Sequence, residues 1–326
     1  MTTSQVKVGR SVRSLATTGG VDPTKTITIR KRYGQNINGR LLQIERNVRT
    51  ALVDLDVFGR SNRLFAMQGG GLPPPRAWVG LTPAVQIERF RGWLRENWIE
   101  VFELEFDDLG ALVGGPDFVD IAITQAYARA VAQADVKFRR AVGVEPRGGT
   151  GLPVGTPSAI RKIIRDARIR SIFPAVPEQV LRQARHQGAI DFLLNANYRE
   201  IHGVGPVYES RIIRQLTLGV SRNTPIEEIV RNIRDQTRLQ MNQANALART
   251  EIVRAHAEAT LNRFEDLGVS QVGAAVEMEF TTAGDAKVCV RCNDLEGVLF
   301  TVDDARGVIP VHIGCRCAWF PVGIAA

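Results

Sequence analysis

The chain has 326 residues, 44% of them hydrophobic, and carries 42 Lys and Arg against 34 Asp and Glu. That is enough apolar material for about two buried cores, which excludes a disordered polar chain. No stretch supplies the ~18 uninterrupted apolar residues of a membrane span, and the first twenty residues lack the apolar run of a secretory signal. No membrane association is therefore expected, and the thiols are expected to sit in a reducing compartment.

The net charge of +8 is placed unevenly. Residues 1–50 hold ten cations and two anions, while residues 51–326 hold 32 of each sign. Residues 1–28, rich in Ser, Thr and Gly, read as a flexible basic arm. Lys25, Arg30, Lys31, Arg32 and Arg40 are the candidate contacts for an anionic surface such as nucleic acid. Of the 42 cations, 36 are Arg, whose planar fork suits bidentate phosphate contacts; a GC-rich coding bias produces the same preference.

A helical region is expected over 29–157. Its first helix carries Ile37, Leu41, Ile44, Val48, Leu52 and Leu55 at spacings of three and four, one stripe on a 3.6-residue period. The run from Phe65 to Pro83 contains Gly69–Gly71 and Pro73–Pro75 and reads as a linker. A second helix is predicted from Pro83 to Phe106, its bulk supplied by Phe90, Trp93, Leu94, Ile99, Val101 and Phe102. The aromatic residues Phe90, Trp93, Trp98 and Phe102 read as core or a subunit contact rather than a base-stacking platform. A third helix follows over Asp117–Arg140, and the Gly/Pro-rich run from Val142 to Pro157 breaks the chain again.

Residues 158–245 read as a helical middle region. Thr224, Pro225 and Glu227 form a capping-box signal that starts one of its helices. A helix from about Leu247 to Leu267 stops at Gly268. Two strands follow. Val272, Ala274, Val276, Met278 and Phe280 alternate with smaller or charged residues, and Val298–Val302 is a second short strand. The fold class is therefore a mostly α N-terminal region with a small C-terminal α+β module over 246–326.

All four cysteines lie in that module. Cys289-x-x-Cys292 precedes His312-x-x-Cys315-x-Cys317, so five donors fall within 29 residues. A Cys-x-x-Cys turn places two sulfurs on one side of a bend, and a second pair brought up by a hairpin completes a tetrahedron around zinc. Four positions suffice for a closed structural site, expected to hold Cys289, Cys292 and two of His312, Cys315 and Cys317. A thioredoxin-type redox role lacks its context, because no helix start is expected at Cys289.

Three motifs in order carry a family likeness. LARTEIVRAHAEAT (Leu247–Thr260), EFTTAGDAKVCVRCNDLEG (Glu279–Gly297) and IPVHIGCRCAWFP (Ile309–Pro321) together resemble the phage Mu F-like head morphogenesis, or minor head protein, family. Ile313 and Phe280 depart from that family's usual Pro and Trp, and both spare the candidate ligands. The resemblance implies a minor capsid protein of a tailed phage, inside the capsid near the portal. It would serve head assembly and DNA packaging or ejection, having been made in the host cytoplasm. The partners it implies are the portal protein, other capsid components and phage DNA, the last contacted without sequence preference.

Arg249, Thr250, Glu251 and Asp285 are expected to be structural. Positions 249 and 251 lie about 200° apart on a helix and do not converge on one substrate. Arg249 or Glu251 is expected to bond the backbone of the thiol module, and Asp285 to shape a turn. His186 and His202 receive no role. The chain is thus expected not to be an enzyme. The alternatives are a zinc-stabilised nuclease or toxin-like enzyme using Glu251 and His256, and a cytoplasmic DNA-binding regulator.

Overall fold

A computed structural model of the chain describes residues 22–59, 78, 80–141, 178–267 and 277–322. Most of the expected arm, most of the Phe65–Pro83 linker, the Val142–Pro157 run and Gly268 lie outside the described residues, as does the start of the first expected strand.

Helix α1 spans Ile27–Arg49, earlier than the expected boundary at residue 29, and buries Ile37, Leu41, Ile44 and Val48. The apolar stripe continues through a π-helical turn, Thr50–Asp54, in which the Leu55 N–H reaches the Thr50 carbonyl at 2.9 Å. This wider turn keeps both Ala51 and Leu52 inside.

Helix α2 spans Pro83–Val101, shorter than the predicted helix to Phe106. Its buried stripe is Gln86, Phe90, Leu94 and Trp98, whereas Ile99 faces solvent. The helix stops because Glu103 takes φ 50°, and a hairpin follows. Strands β1 (Glu105–Phe106) and β2 (Leu112–Gly114) are joined by a turn in which Asp107 accepts from the N–H groups of Leu109 and Ala111, with Gly110 at φ 77°. An Asp side chain bonding the backbone two residues on is a turn device, so the stretch that reads as helical doubles back.

Helix α3 (Asp117–Ala141) presents Ala126, Ala130 and Ala134 on a fully buried face, with Asp117 and Asp120 in its positive first turn. A short turn of helix, α4 (Glu178–Leu181), precedes α5 (Ala184–Ser221) and α6 (Ile226–Leu267). Helix α6 begins one residue later than expected, the Pro225 carbonyl accepting from Ile229. It runs unbroken through residues 245 and 246, so the expected middle region and the C-terminal module share one helix.

Helix α6 packs against α1, α3 and α5. Its first half is amphipathic, burying Ile226, Ile229, Val230, Ile233, Thr237 and Gln240. From Thr250 to Phe264 nearly every residue is buried, the pattern of a helix enclosed on all sides. The module that encloses it is an antiparallel sheet of order β4-β3-β5, with β3 Glu277–Thr281, β4 Leu299–Thr301 and β5 Ala318–Val322. Met278 pairs with Phe300 and Phe280 with Trp319, placing alternate residues against α6. Strand β5 is not legible in advance because Pro321 interrupts it, and an edge strand tolerates that proline. Two short helices, α7 (Val290–Leu295) and α8 (Val302–Ala305), complete the module. Among the described residues no helix is long and apolar enough to cross a membrane.

The register of α1 is testable by a neighbouring pair. Leu41 is fully buried and Leu42 is 39% exposed. Leu41→Ala should cost about 2–5 kcal/mol in chemical denaturation, whereas Leu42→Ala should stay within about 0.5 kcal/mol of the parent.

Candidate functional site

The sequence of the Cys-x-x-Cys turn shapes its own geometry. Cys289 is extended and caps α7, its sulfur accepting the Cys292 N–H at 3.4 Å. A helix start does therefore sit at Cys289, contrary to expectation, although α7 has six residues and no βαβ surround. Next to it comes the loop of the second donor set, turned by Gly314 at φ 80°, a conformation that suits glycine. The Cys315 N–H bonds the His312 carbonyl at 3.1 Å, and the Gly314 N–H donates to Thr250 Oγ1 at 2.9 Å.

These turns bring all five donors together. His312 Nε2 lies 3.2 Å from Cys289 Sγ and 3.3 Å from Cys292 Sγ. The His312 Nδ1–H donates to the Ile313 carbonyl at 2.8 Å, which leaves the Nε2 lone pair facing the sulfurs. The donor atoms of Cys289, Cys292 and His312 lie within 4.8 Å of one another, and so do those of Cys292, Cys315 and Cys317. All four thiols are free.

Electrostatics favour a cation among them. Burial foremost, and then the neighbouring Cys315, push the Cys292 thiol up to about 12. A hydrogen bond from the Cys317 thiol pulls Cys315 down to about 5, and Cys317, as the donor, is raised. The Cys292 N–H, first among several contacts, lowers Cys289. Burial thus works against ionising Cys292 and Cys317, and a positive partner among the sulfurs would offset that cost. Arg316 between them does not supply it, since its guanidinium is paired with Asp285 at 2.5 and 2.6 Å. Sulfur and imidazole donors at this spacing can hold a metal ion.

The surrounding motifs brace the cluster. Asp285 accepts the Lys287 N–H at 3.0 Å, the expected turn role, and its bond to Arg316 holds its carboxyl down at about 2. Glu296 accepts the Thr282 N–H at 2.7 Å. The backbone contact from α6 falls to Thr250 rather than to Arg249 or Glu251. Thr250 accepts from Gly314 while donating to Ala246 O at 2.8 Å. Arg249 is exposed, and Glu251, buried and raised by desolvation, pairs with Arg254 at 3.2 Å.

His256 is fully buried and donates through Nε2 to Gln133 Oε1 at 3.3 Å. Burial first, then the nearby Lys137, Arg129 and Arg30, push it well below 6.5. His186, which received no role, is also fully buried. It accepts from the Tyr127 hydroxyl at 2.7 Å and donates to Asp266 at 2.8 Å. Asn262 donates to the Tyr127 oxygen at 2.9 Å and accepts from Arg306, also at 2.9 Å, so one chain of bonds crosses from α5 through α3 and α6 into the module. No spacing signal marks these partners, which lie 59 and 80 residues from His186. His202 stacks edge-on against Phe106.

The five basic candidates divide. Arg30 is committed to Asp22, and Arg40 to the Val101 carbonyl, Glu103 and the Phe118 ring. Both face inward because α1 packs on that side. Lys25, Lys31 and Arg32 are exposed.

Two outcomes test this geometry. Thr250→Val removes the acceptor of Gly314 and should destabilise the module by about 1–3 kcal/mol, with Thr250→Ser restoring most of it and the Gly314 amide exchanging faster in the Val variant. His256 takes up a proton near pH 6.5 when unfolded and resists it when folded. Its contribution should therefore fall by about 1.4 kcal/mol per pH unit below 6.5, and His256→Gln should flatten the pH profile by that slope.

No curated protein and no solved structure matches the chain. Residues 210–320, which run from within α5 through all of α6 and the thiol module into β5, match the model of the family described as Phage Mu protein F like protein, so this third of the chain is similar to that family.

Proposed function

We propose that the chain is a minor structural protein of a tailed-phage head, lying inside the capsid near the portal and serving head assembly and DNA packaging or ejection. The observation that carries this reading is the family match over residues 210–320, the same residues that build α6 and the thiol module. The module is a docking piece closed by a structural zinc ion, a metal that suits a mixed sulfur and imidazole donor set. Its partners are the portal protein, other capsid components and phage DNA. Lys25, Lys31 and Arg32 provide exposed positive charge for phosphate contacts without base readout. Burial of Glu251 and His256 supports a structural role for the α6 motif over a nuclease centre.

Mass spectrometry of purified particles should find this polypeptide with portal and capsid proteins, and its absence from mature heads would refute the assignment. Metal analysis of the isolated chain should return zinc. Chelation should unfold the module in a separate transition, since structural zinc contributes on the order of 10 kcal/mol to small sites. Refolding unchanged without any ion would remove the docking-piece mechanism.

A further inference from the structure

Building on the nucleic-acid contact proposed above, we propose that the paired faces of α1 and α6 are a binding surface for the phosphate backbone of duplex DNA. The two helices pack antiparallel. Gly34 approaches Asn245 so closely that an added Cβ would lie 2.3 Å from its Oδ1, Asn38 donates to that oxygen at 3.4 Å, and Glu45 pairs with Arg234 at 3.2 Å. Rising numbers on one helix thus meet falling numbers on the other. On the solvent side of this seam α6 presents Arg231, Arg234, Arg238, Asn242, Asn245 and Arg249, spaced three or four residues apart and so on one stripe. The stripe holds no carboxylate. Along it α1 sets Lys31, Gln35, Asn38, Leu42, Glu45 and Arg49 at the same spacing.

Most of this charge is uncommitted. Glu45 answers Arg234, but among the described residues Lys31, Arg49, Arg231, Arg238 and Arg249 are exposed and form no ion pair. The nearby exposed acids Glu227, Glu228 and Asp235 gather towards the Arg231 end, and residues 236–250 contain none. At the Arg249 end like charges crowd together. Burial foremost lowers the pKa of Arg30, Asp22 opposes it, and Arg249 and Arg316 lower it further, a repulsion that a polyanion relieves.

The shape of the face selects duplex DNA. From Arg231 to Arg249 the stripe extends about 27 Å along an unbroken helix, and its guanidinium forks and amides donate to phosphate oxygens. Neither row holds an aromatic side chain, so the face lacks the stacking platform that grips a single strand. Two helices of ~10 Å diameter, axes ~8–10 Å apart, make a surface about 20 Å wide, broader than the ~12 Å major groove. The pair therefore rests on the backbone and does not reach the bases.

The test uses the full-length chain and a fluorescent mixed-sequence duplex, with anisotropy followed over a salt series and circular dichroism reporting folding. One variant combines Arg231→Gln, Arg238→Gln and Arg249→Gln. A control combines Arg89→Gln, Arg199→Gln and Arg214→Gln, exposed positions on α2 and α5 that change net charge equally. The α6 variant should bind at least ~10-fold more weakly and flatten the log–log salt slope by about 3, near 0.9 per lost phosphate contact, on any duplex sequence. Lys at the same three positions should restore most of the slope, and the control should change it by less than about 1. Should the triple variant misfold, its three single variants decide, each flattening the slope by about 1. An equal loss in the control, or tighter binding of the single strand than of the duplex, would overturn the proposal. If wild type binds duplex and the α6 variant binds it identically, this face is wrong, an acidic protein becomes its candidate partner, and the nucleic-acid contact proposed above stands. A wild-type chain that binds no duplex even at low salt removes both.

Discussion

The enclosure of α6 is the constraint from which the rest of the structure follows. Between Thr250 and Phe264 the helix has almost no solvent face, so each residue there has to satisfy either the helical bundle or the thiol module. Alanines at 255, 257 and 259 let neighbours close in. Several of the polar residues there are bonded: Thr260 to the His256 carbonyl, Asn262 to Tyr127, Arg263 to Asp135 at 2.5 Å, while His256 Nδ1 has no hydrogen-bond partner among the described residues. Buried polar groups persist when paired in this way. Packing thus accounts for the Leu247–Thr260 stretch on this helix, and Thr250 supplies a bond to the cysteine loop.

Two hydrophobic clusters meet at this helix. The larger gathers α1, α2, α3, α5 and the first part of α6, and the smaller gathers the end of α6 with the sheet and the buried cysteines. The smaller one is modest in aromatic content, led by Phe264, Phe280 and Trp319. A module of short strands with so small a core would gain much from an ion held by the cysteine and histidine donors. Seams between the clusters are polar: Arg306 reaches Glu258, Asn262 and Glu265, and Lys137 lies over the Phe320 ring at 3.7 Å with its ammonium on the Trp319 carbonyl.

Much of this was legible before the structure. The cysteine and histidine spacing pointed to one cluster, because turn chemistry is local and five donors within 29 residues have few ways to avoid each other. The α1 stripe was legible because one face is buried at a regular period. What escaped was set by distant or competing terms. The hairpin after α2 depends on Asp107 and a positive φ at Glu103, which outweigh an apolar run that reads as helix. The continuity of α6 was hidden because its two halves follow different burial patterns. The His186 network joins residues far apart in the chain, and Arg30 and Arg40 turned inward where charge alone suggested an outward role.

At 1.5 Å per residue, the 42 residues of α6 make a rod roughly 63 Å long, one end near Pro225 and the other inside the cysteine module. Such a strut does not bend cheaply, and nothing in its hydrogen-bonded interior offers a hinge. Force applied at one end of it would therefore reach the other with little loss.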